Sequence, residues 1–139
     1  MLNLSKKKNN SIQTSGKRKT AIARATLNKG KGIVKINNVP LDLITPKLYK
    51  MRMEEPLILS GDVRSKIDLM ISVQGGGMMA QADATRTAIA KALVEHTPDL
   101  KSAFNDYDRH LLVADVRLKE TSKPNRHGSA RSKKQKSYR

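Results

Sequence analysis

Every acidic residue of this chain lies between Asp42 and Glu120. That interval holds twelve Asp and Glu against eleven Lys and Arg, so it is close to neutral. Residues 1–41 carry ten Lys or Arg and residues 121–139 carry seven, with no acid in either stretch. The net charge of +16 therefore sits at the two ends. Cations without acids nearby repel one another and resist compaction. The last nineteen residues, TSKPNRHGSARSKKQKSYR, offer only Ala130 and Tyr138 as hydrophobic surface. Such a segment cannot bury enough apolar area to fold alone, and it stays extended until a polyanion orders it. The expected organisation is a flexible basic lead-in over 1–15, a globular α/β domain over 16–120, and an extended basic tail over 121–139.

Charge gathered at the ends is the footprint of a polyanion binder. Nucleic acid is the expected partner and a membrane is not. No run of about 18 apolar residues is present. The cationic ends lack the Leu, Phe or Trp face that an interfacial helix buries. MLNLSKKKNNS has no apolar stretch after its charges, unlike a signal peptide. The absence of Cys excludes disulfides and thiolate metal sites. Aromatics are scarce, and three of the four, Tyr49, Phe104 and Tyr107, fall in the neutral middle. Phosphate contact is therefore expected to dominate over base stacking.

Along the folded part, Thr20 to Leu27 (TAIARATL) reads as a strand. Asn28 to Gly32 forms a basic glycine turn, and Ile33 to Asn37 (IVKIN) is the expected return strand of a hairpin. Thr45-Pro46 suggests a capped helix start, with the helix running towards Glu54 and broken or kinked at Pro56. Ile67 to Val73 alternates as a strand. Gly75-Gly76-Gly77 opens a long helix from Met78 to about His96, with a core stripe of Met78, Ala82, Thr85, Ile89, Ala92, Leu93 and His96. Thr97-Pro98 starts a shorter helix ending near Asn105, and Leu111 to Val116 reads as a last strand. The expected fold class is α+β, a two-layer α/β sandwich of about 100 residues with one modest core.

The candidate RNA-binding residues follow from the charge map. They are Lys17, Arg18, Lys19 and Arg24 near the first strand, Lys29 and Lys31 in the glycine turn, and Lys123, Arg126, Arg131, Lys133, Lys134 and Lys136 in the tail. Gly75, Gly76 and Gly77 could present backbone amides to a phosphate or serve only as a flexible strand-to-helix turn. They fit neither phosphate-loop nor dinucleotide spacing. Tyr138 is either part of a disordered end or a tip that stacks on RNA or offers its hydroxyl, with Arg139 pairing to phosphate. His96, His110 and His127 are too scattered for a metal site. Asp106 and Asp108 flank Tyr107 as solvated or capping groups, and no nucleophile motif occurs. Neither an enzyme nor a cofactor is expected.

Several ordered motifs resemble one family over residues 14 to 139. These are Gly16-Lys17-Arg18-Lys19-Thr20-Ala21-Ile22-Ala23-Arg24-Ala25, IVKIN, Glu55-Pro56-Leu57 and the Gly75-Gly76-Gly77…Ala80-Gln81 junction. Leu112-Val113-Ala114-Asp115, Ala130-Arg131 and Gln135-Lys136-Ser137-Tyr138-Arg139 complete the set. Together they are similar to ribosomal small-subunit protein nine, and the terminal motif resembles its archaeal and eukaryotic branch. The length and the lack of a transit-type leader favour the archaeal form. Tyr138 departs from the bacterial ending, which is typically Ser-Lys-Arg. The resemblance implies a fold like the second domain of ribosomal protein five, with a left-handed βαβ crossover and a long tail disordered when free. It implies a cytoplasmic, ribosome-bound protein that contacts ribosomal RNA of the 3′ major domain in the small-subunit head, beside neighbouring head proteins. It also implies that the tail brings Tyr138 and Arg139 to the anticodon stem-loop of the P-site transfer RNA.

Overall fold

The computed structural model describes residues 11–127, 130–133, 135, 137 and 138. Strands β1 (Ile12–Arg18) and β2 (Ala21–Lys29) form an antiparallel hairpin turned at Lys19 and Thr20. β3 (Val34–Ile36) and β4 (Val39–Pro40) form a shorter one through Asn37 and Asn38. Both asparagines take left-handed backbone angles, φ 48° and 68°, which Asn tolerates better than most residues. Helix α1 (Lys47–Leu59), strand β5 (Ile67–Gln74) and helices α2 (Met78–His96) and α3 (Leu100–Tyr107) follow. In the tail, β6 (Arg126–His127) pairs with β7 (Ser132–Lys133).

The main sheet has the order β1-β2-β5-β3-β4. β5 lies antiparallel to β2 and parallel to β3. The expected hairpin of TAIARATL with IVKIN is therefore not formed, because β5 lies between the two strands. The glycine turn wraps the start of β5 instead of closing on itself. The Gly30 and Gly32 amides donate to the carbonyls of Lys66 and Ile67 at 2.9 and 3.0 Å. The Asp68 carboxylate accepts from the amides of Lys31 and Ile33 at 2.8 and 2.9 Å. A Cβ on Gly30 would lie 2.0 Å from that carboxylate, so a side chain here would push Asp68 off the loop amides.

One face of the sheet is apolar. Ala21, Ala23, Ala25 and Leu27 of β2 lie beside Ile67, Leu69, Ile71 and Val73 of β5, all buried. α2 covers them over the expected span, with Ala82, Thr85, Ile89, Ala92 and Leu93 buried and Met78 exposed. Ala84, Ala88 and Ala90 are buried too, because the small side chains let the sheet and α1 approach closely.

Three further expectations are corrected. The lead-in was expected through residue 15, yet β1 begins at Ile12. β1 docks through its backbone: a Cβ on Gly16 would lie 2.1 Å from the Ala84 carbonyl oxygen. Thr14 Oγ1 donates to the Ala88 carbonyl at 2.8 Å, and Lys91 Nζ to that of Ser15 at 3.2 Å. α1 starts at Lys47 with no side-chain cap from Thr45, and it runs through Pro56 to Leu59. Burial of Met53, Pro56 and Leu57 offsets the backbone hydrogen bond that proline removes. Leu111 to Val116 is not a strand. Asp108 accepts from the His110 amide and starts a 3-10 turn that buries Leu111 completely.

Candidate nucleic-acid interface

The helices cover one face of the sheet and leave the other exposed. β2 alternates buried and exposed residues, placing Ile22 and Arg24 on the open side. β5 does the same with Met70, Ser72 and Gln74. Lys17 lies opposite Ile22, and Lys35 lies opposite Met70. The sequence reading missed Lys35, although its position between the buried Val34 and Ile36 already sets it on that side.

The predicted site residues divide into three groups. At one end of the sheet, the β5–α2 turn packs on the β1–β2 turn. Gly75 and Gly76 take φ 74° and 67°, and a Cβ on Gly75 would lie 2.7 Å from the Thr20 carbonyl oxygen. This brings Gly75, Gly76 and Gly77 beside Lys19, with Lys17 close by. Lys29 and Lys31 lie at the far end of β2, roughly 30 Å away at strand rise. Arg24 stands between the two ends. Among the described residues, none of these five cations is in an ion pair.

Arg18 is different. Its Nη1 lies 2.7 Å from Asp115 Oδ2, and its Nε lies 3.7 Å from Asp83 Oδ2. Arg52 donates to Asp83 at 3.1 Å. Arg86, only 7% exposed, donates to Asp108 at 2.8 Å and abuts Glu55. Arg117 donates to Asp115 at 2.7 Å. Four guanidiniums thus meet four carboxylates, joining β1, α1, α2 and the root of the tail; all but Glu55 line a cavity of about 180 Å³, whose edge Lys17 and His110 also border. Hydrogen bonds from the Arg117 side chain and amide hold the Asp115 carboxyl well below the usual aspartate range. Burial pushes Asp108 up, but the His110 amide and the Arg86 guanidinium outweigh it, and the net direction is down.

In the tail, Lys123, Arg126, Arg131 and Lys133 are exposed. Arg131 Nε donates to both Glu120 oxygens at 3.1 Å, which lowers the Glu120 pKa. Arg126 donates to the Arg131 carbonyl at 3.2 Å. Tyr138 is 91% exposed. Lys134, Lys136 and Arg139 lie outside the described residues. Among the described residues, no three His, Asp or Glu are grouped to hold a metal, and no helix is long and apolar enough to cross a membrane.

A one-sided helical layer, cations on the open face and a cationic appendage are the features expected of a polyanion-binding module. The sequence pattern of the family described as ribosomal protein S9/S16 matches residues 16–139. The chain is 54% identical over 130 residues to small ribosomal subunit protein uS9 of Methanothrix thermoacetophila, covering 92% of this chain and 98% of that protein. It is 53% identical over 131 residues to uS9 of Methanococcus maripaludis, and 48% identical over 131 residues to that of Methanococcus vannielii, with the same coverage. The chain belongs to the ribosomal protein S9/S16 family, whose members are structural, non-enzymatic components of the ribosome. Its relatives are of archaeal type.

Proposed function

We propose that the chain is a structural constituent of the small ribosomal subunit that binds ribosomal RNA in the subunit head. In this reading it carries its C-terminal tip to the anticodon stem-loop of the P-site transfer RNA. The observation that carries the reading is the split between cations held by the fold's own acids and those that have none. Lys17, Lys19, Arg24, Lys29 and Lys31 are available to phosphates of the 3′ major domain, and the Gly75–Gly77 amides add neutral donors beside Lys19. The parallel β3–β5 pair, joined through α1, supports the reading of a fold like the second domain of ribosomal protein five, and the left-handed crossover is part of that reading. Exposed Leu48, Met51 and Ile58 on α1 give neighbouring head proteins an apolar stripe to cover.

With the short β6–β7 hairpin opened, the sixteen residues from Pro124 to Arg139 reach about 50 Å. A domain of this size has a radius of gyration of only ~13 Å. The tail therefore acts where the domain does not touch, tracking phosphates with Lys123 to Lys136 and ending in Tyr138 and Arg139. The test is deletion of residues 136–139. Small subunits carrying the shortened chain are expected to sediment normally after a moderate salt wash and to bind P-site transfer RNA more weakly. Unchanged transfer RNA binding would refute the tip's role. Failure of the full chain to co-sediment with subunits would refute the ribosomal reading itself.

A further inference from the structure

The open face of the main sheet carries a pattern that the charge map alone does not reveal. Lys17, Arg24 and Lys35 lie on β1, β2 and β3, with β5 between the last two. Lys17 pairs with Ile22, two residues from Arg24, while Arg24 pairs with Ser72, two residues from the Met70 that faces Lys35. Strand spacing and rise then put Lys17 about 8 Å from Arg24, and Arg24 about 12 Å from Lys35, at the Cα atoms. The three cations form one diagonal row about 20 Å long, enough to meet several phosphates of one strand.

The surroundings of the row are as informative as the row itself. The uncharged Ser15, Ser72 and Gln74 flank it, and a shallow depression of about 370 Å³ opens between Arg24 and Lys35. The acid on this side of β5, Asp68, has its carboxylate turned into the glycine loop, where two amides hold it. No aromatic belongs to the strands of this face, since Tyr49 and Phe104 are buried and Tyr107 and Tyr138 lie on α3 and in the tail. A single strand with splayed bases would need aromatic rings to stack on. A double-helical RNA needs only cations for its phosphates and small polar groups for its 2′-hydroxyls.

We infer that the open sheet face is a docking surface for an RNA double helix, laid with one sugar–phosphate strand along the Lys17–Arg24–Lys35 diagonal. This rests on the ribosomal RNA-binding reading above and names the surface and the form of RNA it takes. Ile22 and Met70 contribute contact area beside the row, not base recognition. The diagonal fixes the orientation of the helix on the domain.

The chain has no Cys, so Ser72→Cys creates a unique attachment point at the centre of the exposed face. An iron chelate there, in subunits assembled with the full-length chain, is expected to cleave both strands of one ribosomal RNA helix. The same chelate on Ser122→Cys, in the tail, is the control. Tail cleavage without cleavage from position 72 would overturn the sheet-face proposal while leaving the RNA-binding reading intact. Cleavage of single-stranded RNA, or cross-linking of position 72 to a protein, would overturn it as well. Cleavage from neither position would refute the underlying reading. In a second experiment, the doubly exchanged Arg24→Glu, Lys35→Glu chain competes with the parent chain for assembly. It is expected to lose at least about tenfold, with a salt slope shallower by about two, at an unchanged melting temperature. Equal competition would overturn the proposal.

Discussion

Two cation-bearing regions of this protein are physically opposite. Around the root of the tail, Arg18, Arg52, Arg86 and Arg117 are matched by Glu55, Asp83, Asp108 and Asp115. On the open sheet face, Lys17, Arg24 and Lys35 have no acidic partner among the described residues. The first region is neutral as a set, and its charges hold four segments together. The second keeps its field for a partner outside the chain. Where the acids stand, not how many cations there are, decides which role an arginine takes.

The sharpest way to break this comparison is to remove the most buried member of the paired set. Arg86→Ala would leave Asp108 without its cation and Glu55 with only the 3.9 Å contact to Arg52, under partial burial. Loss of one partner from such a pair costs about 3 kcal/mol at the lower end of the usual range, because both carboxylates keep some water contact. Urea unfolding of the free chain is expected to show this loss as a lower midpoint. An unchanged midpoint would mean that the cluster is ornamental, and the contrast with the open face would collapse.

A finer cut separates two adjacent residues. Arg18→Ala removes the contacts to Asp115 and Asp83 and is expected to cost about 1 kcal/mol of stability. Lys17→Ala touches no ion pair and should stay within about 0.5 kcal/mol of the parent. RNA affinity should respond the other way, with a shallower salt dependence for Lys17→Ala. Equal behaviour of the two variants in both assays would erase the boundary between the regions.

The sequence made Lys17, Arg18 and Lys19 a single basic arm, and that grouping shows where its legibility ends. β5 was readable almost to the residue because burial of one face imposes alternation, and α2 because its run of strong helix formers follows a glycine turn, although Ala84 to Ala90 are buried all round. β1 was not, because Gly16 and Thr14 dock it on α2 by backbone proximity and a hydroxyl, which leave no hydrophobic alternation. The β2–β3 hairpin was misread because the strand between them, β5, arrives some thirty residues later in the chain. The charge map placed the excess cations at the two ends of the chain. It could not foresee that Asp115, nearly a hundred residues away in sequence, would claim Arg18. It also passed over Lys35, whose alternation with Val34 and Ile36 was visible but short.

The smallest expected effect separates the two regions by the agent that disrupts each. Asp115 and Asp108 have folded-state pKa values below those of ordinary aspartates, so both carboxylates add stability while ionised. Such a contribution is fully present above the unfolded value near 3.9 and is lost as pH falls from there through the lowered folded value. Stability should therefore be flat from about pH 7 to pH 5 and decline below about pH 4, where the unfolded chain takes up more protons than the folded one. Asp115→Asn removes one of those protons, so its acid limb should be shallower than the parent's in unfolding measured at successive pH values. An acid limb of unchanged slope would show that Asp115 does not stabilise the fold through its charge. Salt gives the complementary result: partly buried pairs are screened weakly, whereas phosphate contacts made by exposed cations weaken steeply as salt rises. Acid thus loosens the root of the tail, and salt loosens the grip of the open face on RNA.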